Sequence, residues 1–319
     1  MNVGLLLPHF GPGSTYERLW DLGSRLADLG FHSAWVRDQL GFRGLGFESR
    51  SAHFVDPFIA LAGVAARSDI VVGTATLTPI RPPVVTAQLV GSLAYLARGR
   101  LVLGVGLGGQ PRAFELAGLR YADRAAHFRE LVEVIRATAR PNASYRGPFT
   151  RFDDLTLDPA PPADLPIWYC GTSPGAIRRA LRYADGWFPG RCPFVVFDGL
   201  LETLRAEAAA LGRPMSVGIV PLLSPGRTRG EALERVNLPA LLAEAREKPG
   251  WEVPFETADD LRGALIAGSA DDILVELGEF RRRGVDEVVL DLRQRMDVFE
   301  PTLELLAREV LPVLGPESR

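Results

Sequence analysis

Two short stretches of the chain carry residue types that do chemistry. GRLVLGVGLGG, Gly99 to Gly109, places Gly104, Gly106 and Gly109 in a G-x-G-x-x-G spacing directly after an apolar run. That spacing lets a backbone approach a pyrophosphate at a helix start. CGTSPGAIRRA, from Cys170, places Gly171, Ser173 and Gly175 in the G-x-S-x-G spacing of a hydrolase nucleophile elbow. Each motif needs a partner. A dinucleotide site needs an acidic residue about 20 residues on, at the end of the next strand, to hold a ribose. At that distance stand Arg129 and Glu130, in a helical pattern, and the next strand-like run, Ile167–Cys170, ends in Cys. A serine nucleophile of the elbow type needs a histidine later in the chain. His9, His32, His53 and His127 all precede Ser173. Only the local physics survives. Glycines after a strand admit an anion to backbone N–H groups. Thr172 and Ser173 cap a helix whose first N–H groups and dipole favour negative charge. No histidine or cysteine pair has metal-ligand spacing, so no metal is expected.

These turns must be held by something, and the surrounding pattern shows what. Short apolar runs alternate with amphipathic helical stretches. Strands are expected at Val3–Leu7, Ala34–Val36, Ile70–Ala75, Leu101–Val105, Ile167–Cys170, Gly186–Phe188, Val217–Leu222 and Glu287–Leu292. Helices are expected at Tyr16–Leu29, Pro57–Arg67, Pro83–Leu96, Arg124–Ala139, Gly175–Tyr183, Val195–Leu211, Asp271–Arg283 and Pro301–Leu314. Residues 141–164 and 224–267 interrupt the rhythm. The first contains a hairpin-like segment, Phe149–Leu157, and the second a polar helix near Glu231–Glu247. Repeated strand–helix units give a closed barrel or an open doubly wound sheet. Eight units is the closing number, so the expected fold is a (β/α)8 TIM barrel with insertions after strands 4 and 7. It forms one domain over residues 1–319.

Composition excludes several classes. The net charge of −3 leaves no electrostatic footprint for nucleic acid or an anionic membrane. The apolar fraction of 47% supports a large core. Two cysteines, Cys170 and Cys192, make no disulfide framework, which suits a reducing compartment. The apolar run Val3–Leu7 is too short for a signal sequence or a membrane span. A cytoplasmic protein is expected.

Several blocks, in order and spacing, resemble the bacterial luciferase-like monooxygenase family of flavin- and deazaflavin-dependent barrel enzymes. They are GLLLP from Gly4, LADLGFHSAWVRD from Leu26, DPFIALAGVAARS from Asp56, VGTATLTPIRPPV from Val72, LARGRLVLGVGLGG from Leu96, PIWYCGTSPGAIRRALRYADGW from Pro166 and GSADDILVELGEFRRRGVDEVVL from Gly268. The resemblance implies a cofactor phosphate between Gly106, Leu107, Gly108, Gly109 and the helix start Gly171, Thr172, Ser173, Gly175, Ala176. It implies a bulge at Gly73–Thr76 where members carry a non-prolyl cis peptide, so that Thr74 and Ala75 back the flavin ring. The chain departs from the family at two points. Gln39 follows Asp38 where many members have His, and Pro82 follows Arg81 where many have His. Gln cannot exchange a proton near neutral pH. His9, at the end of strand one, and His53, after strand two, are the candidates to replace it, with Asp38 as an acceptor that orients flavin or histidine.

The resemblance thus implies a monooxygenase that uses reduced FMN and oxygen on a small organic substrate. A separate flavin reductase would serve as partner, and the assembly would be a homodimer or higher homo-oligomer. One alternative keeps the fold and transfers a hydride to or from the deazaflavin F420. Another is a non-catalytic flavin-binding barrel.

Overall fold

The computed structural model describes residues 1–42, 44, 46–48 and 51–315. Eight parallel strands close into a barrel: β1 (Asn2–Leu6), β2 (Ser33–Val36), β3 (Val71–Thr74), β4 (Leu101–Gly106), β5 (Ile167–Cys170), β6 (Gly186–Trp187), β7 (Ser216–Ile219) and β8 (Glu287–Leu290). Each strand pairs with its neighbours in sequence, and β8 closes on β1 with Val3 opposite Val288. Continuous apolar runs such as VVL (Val288–Leu290) and IWYC (Ile167–Cys170) suit strands covered on both faces.

Large aromatic rings fill the barrel, and glycines make room for them. Trp35 lies 5.8 Å from Trp168 and 5.0 Å from Phe188, centroid to centroid. A Cβ at Gly73 would stand 2.4 Å from the Trp35 ring, and one at Gly218 would stand 2.6 Å from Trp168. The strand glycines therefore make room for rings from the neighbouring strand, at Gly73, and from the next strand but one, at Gly218, as close packing demands. A second, larger apolar layer joins the outer strand faces to the helices. Helices Pro57–Arg67 and Pro83–Leu96 form where proline opens the first turn, as their sequences indicate.

Some local expectations are corrected. The helix expected over Tyr16–Leu29 is two pieces, Tyr16–Trp20 and Leu22–Asp28, meeting at Asp21. A six-residue helix, Pro111–Leu116, follows the glycine turn and is too short to show a helical period. Strand seven stops at Ile219. The chain re-forms a strand at Leu222–Pro225 beyond Pro221, which has no N–H for a ladder. That strand pairs in parallel with Leu265–Gly268 and so closes the second insertion at its base. The single polar helix expected there is two helices, Arg229–Glu234 and Leu238–Arg246, because Asn237 caps the second. The first insertion is an antiparallel hairpin, Ala143–Arg146 with Arg151–Leu155. The last helix widens to a π turn over Leu306–Val310, where Pro312 withholds an N–H from the Arg308 carbonyl. Among the described residues no helix is long and apolar enough to cross a membrane.

Candidate active site

The loops that follow the barrel strands gather at one face, and three of them build a common cavity. β3 ends in Thr74, and the chain then turns through a cis peptide between Ala75 and Thr76, at the bulge expected from Gly73–Thr76. Ala75 N–H donates to Val36 O at 2.6 Å, and Leu77 N–H to Gly104 O at 2.8 Å, so this turn is tied to both neighbouring strands. β4 ends in Gly106. Leu107 is half-buried against the outer core. Gly108 has φ +76°, and a Cβ there would meet Thr78 Cγ2 at 2.6 Å and the Phe114 ring at 3.0 Å. Only glycine fits that position. Gly109 differs, since a Cβ there would meet nothing within 4 Å. A cavity of about 230 Å³ is lined by Arg37, Asp38, Gln39, Ala75, Thr76, Thr78, Gly108 and Gly109. Five of the sequence-selected residues (Asp38, Gln39, Ala75, Gly108 and Gly109) thus share one space.

Asp38 is a positioning carboxylate. Its side chain is 1% exposed and receives both Arg81 Nη groups, at 2.7 and 3.0 Å, and Thr78 N–H at 3.0 Å. Arg81 also donates to Asp56 at 2.8 Å, and Asp56 in turn caps the helix Pro57–Arg67 through Phe58 N–H. Desolvated and multiply bonded, this pair fixes the loop beyond the cis bond. Arg81 lay outside the sequence-derived set. Its signal was its place in the IRPP run after strand three.

The second turn stands beside the first. Gly106 is in register with Cys170, and a Cβ on Gly106 would lie 3.3 Å from Cys170 O. Ser173 caps the helix Pro174–Tyr183, its Oγ accepting from Ala176 N–H at 3.2 Å. Pro174 has no N–H, so Gly175 N–H is the first-turn donor left without an intrahelical acceptor. Gly171, Thr172 and Gly175 are half-buried and Ser173 is exposed. Arg179 lies against Gly175, its Nη1 3.3 Å from where a Cβ would sit, and it donates through Nε to Tyr169 Oη at 2.6 Å. This cation beside a capped helix start was missed in the sequence, where it was one of two adjacent arginines. Thr76 donates from Oγ1 to the Cys170 thiol, and burial pushes that thiol up to about 12, so it is an inert member of the wall.

The two histidines part company. His9 is fully buried; Nδ1–H donates to Val55 O at 2.9 Å, and Nε2 accepts Arg37 N–H at 3.1 Å. Burial, with Arg37 and Arg293 nearby, pushes its pKa down to about 4. Both ring nitrogens are engaged by backbone groups, Val55 O and Arg37 N–H, and His9 itself lines neither this cavity nor the one at the β1 end. The geometry makes His9 a neutral strut between loops, in place of the proton donor its position suggested. His53 is exposed, with Nε2 3.1 Å from Ser14 Oγ. It stands with the β1 loop, since Gly11 N–H donates to His53 O at 2.9 Å. Gln39 accepts Arg37 Nη2 at 3.2 Å.

A further cavity, of about 420 Å³, opens where β1 and β8 end, between Leu6, Phe10, Phe42, Glu48, Arg293 and Met296. Its wall toward the first cavity is charged. Glu48 binds both Arg37 and Arg293, and Arg293 Nε donates to the 1%-exposed Asp291 at 2.6 Å. Arg37 and Arg293 both lie over the Phe10 ring, 4.8 and 5.0 Å from its centre. Burial, then the charge of Arg293, pushes the Arg37 pKa down to about 10, while the two arginines hold the Glu48 carboxyl low. None of Glu48, Asp291 and Arg293 was selected from the sequence, because they come together only across the closing seam of the barrel.

A closed parallel barrel with glycine turns and a capped helix after its strands places the chain in the β/α-barrel class. The chain belongs to the luciferase-like monooxygenase family, whose model matches residues 1–287. An F420-dependent glucose-6-phosphate dehydrogenase of Beutenbergia cavernae is 30% identical over 313 residues, 91% of each chain. With some mycobacterial relatives, 34% identical over 147 residues, the chain matches only about half of their length, 51%. Two solved structures share the fold. A monooxygenase, RslO1, of Streptomyces bottropensis has a TM-score of 0.79 at 22% identity, covering 99% of this chain and 100% of its own. An F420-dependent secondary alcohol dehydrogenase has a TM-score of 0.80 at 17% identity, covering 99% of each.

Proposed function

We propose that the chain is a flavin-type oxidoreductase that transfers a hydride between a deazaflavin and a small polar substrate. In the oxidative direction an alcohol would yield a carbonyl, its hydride passing to a bound deazaflavin and its hydroxyl proton to a group of the protein. The cofactor supplies the two-electron chemistry; the protein supplies binding, orientation and the proton path. The observation that carries the reading is the charged wall Arg37–Glu48–Arg293–Asp291, which separates the two cavities at the mouth. Hydride transfer to a polar group tolerates such a wall, whereas oxygenation calls for a dry pocket. The 30% identity to an F420-dependent dehydrogenase over 91% of the chain supports the same choice.

The residues present fit such a cofactor. Gly109 opens onto free space beside Ala75, and the helix start at Ser173 with Arg179 offers the Gly175 N–H and a cation for a phosphate. Gly108 and Gly109 would admit the cofactor to the backbone and the turn at Ala75–Thr76 would back its ring, while Asp38 with Arg81 holds the loop beyond that turn in place. His53, exposed beside the β1 loop, would be the group that moves the proton. A second reading, oxygenation with reduced FMN delivered by a separate reductase, is favoured by the aromatic cluster Phe10, Phe42 and Phe54. Its rings are 5.3–5.9 Å apart and would exclude water.

The test offers the full chain F420, and separately reduced FMN with oxygen. The expected result is quenching of deazaflavin fluorescence on binding and loss of the oxidised cofactor's absorbance when polar alcohols are added. Oxygen uptake with reduced FMN, together with no deazaflavin binding, would overturn the proposal in favour of the second reading.

A further inference from the structure

The chain contains one lysine among its 36 basic residues, Lys248. It lies just beyond the helix Leu238–Arg246 of the second insertion and is half-buried, its side chain 29% exposed. It borders a void of about 30 Å³ whose walls are mostly apolar: Pro193, Leu222, Leu241, Ala245, Leu261 and Leu265. Its ammonium lies 4.5 Å from the centre of the Trp251 ring and 3.9 Å from Glu244. Glu244 is already taken by Arg191, whose Nη2 donates to it at 2.7 Å. The other groups that bear on the amine are Arg191 itself and the buried Cys192 thiol. An amine held against apolar walls and beside a second cation is the arrangement that activates lysine as a nucleophile.

Two donors complete the site. Arg191 Nη1 and Trp251 Nε1 border the same void, are buried and have no hydrogen-bond partner. Both are donor-only groups, as is the ammonium. An unmodified lysine therefore leaves buried donors unpaired, at a cost that an acceptor would relieve.

We propose that Lys248 is an acyl-acceptor site, where the amine takes a small acyl group whose carbonyl oxygen pairs with the indole and guanidinium N–H groups. With an acyl phosphate as donor, the neutral amine attacks the carbonyl carbon, the C–O bond to phosphate breaks, and the amine proton leaves with the phosphate. The product amide is uncharged, so the repulsion between Lys248 and Arg191 disappears and Glu244 is left to Arg191 alone. A methyl group suits the apolar void, and a void of this size limits the acyl chain to one or two carbons. Burial and the neighbouring Arg191 also push the Lys248 pKa down to about 8. At pH 8 about half of the amine is then neutral, against about 0.3% for an ordinary lysine.

The experiment treats the full-length protein with acetyl phosphate between pH 6 and 10 and maps the products by peptide mass spectrometry. The expected result is acetylation at Lys248 at least tenfold faster at pH 8 than in the same peptide excised from the protein, with a rate that levels off above about pH 8. Trp251→Phe keeps the ring and removes the N–H, and is expected to slow the reaction several-fold. Reaction of Lys248 at the free-peptide rate, a rate still climbing at pH 10, or an undiminished rate in Trp251→Phe would each overturn the assignment.

Discussion

His9 offers the sharpest test of how the mouth is built. Its side chain is fully buried and its two ring nitrogens are committed, one as donor to Val55 O and one as acceptor from Arg37 N–H. A proton added at Nε2 would face that N–H and the charges of Arg37 and Arg293. The native pKa is accordingly about 4, pushed down first by burial, while an unfolded histidine titrates near 6.5. Between those values the unfolded chain binds a proton that the native chain does not. Stability is therefore unaffected by His9 above about pH 6.5, and falls as pH drops from there toward 4. The full difference amounts to about 3 kcal/mol, of which about 2 kcal/mol is lost by pH 5. His9→Gln keeps an acceptor for Arg37 N–H and cannot titrate. Urea denaturation followed by tryptophan fluorescence should show wild type more stable than His9→Gln at pH 7.5, with the gap shrinking by about 2 kcal/mol at pH 5. A gap that stays constant or widens at pH 5 would refute the neutral-strut assignment and restore His9 as a group that charges within the folded protein.

Two further outcomes bear on the cofactor site. Gly109→Val should leave thermal stability nearly unchanged, because a Cβ there meets nothing within 4 Å, yet weaken cofactor binding. Loss of one charge-assisted hydrogen bond from the backbone corresponds to about 10- to 150-fold in Kd, read by fluorescence titration. Wild-type affinity in that variant would remove the glycine turn from the phosphate site. His53→Ala should lower turnover at saturating cofactor by about 100-fold, while Gln39→Ala lowers it less than about tenfold. The reverse order would mean that the amide at position 39 orients cofactor or water and that no histidine moves the proton.

The sequence by itself determined the barrel. Eight apolar runs separated by amphipathic helices dictate eight strand–helix units, and the period of each stretch is a local property of the chain. The turn residues were legible for the same reason: Gly108 needs its positive φ, and Ser173 caps the helix that follows it. Elements shorter than two helical turns, such as Pro111–Leu116, carry too few residues for a period and escaped. So did the strand Leu265–Gly268, whose apolar run abuts the next helix. Tertiary structure alone decided which polar groups meet. Asp38 and Arg81 are brought together by neighbouring strands, and Glu48 joins Arg37 to an arginine 245 residues further along the chain. The role of His9 changed in the same way. Its place at a strand end suggested access, but the loop carrying Val55 folds over it and takes its proton-bearing nitrogen. A residue type states what chemistry is available; burial and partners, which depend on distant parts of the chain, decide whether that chemistry is free to act.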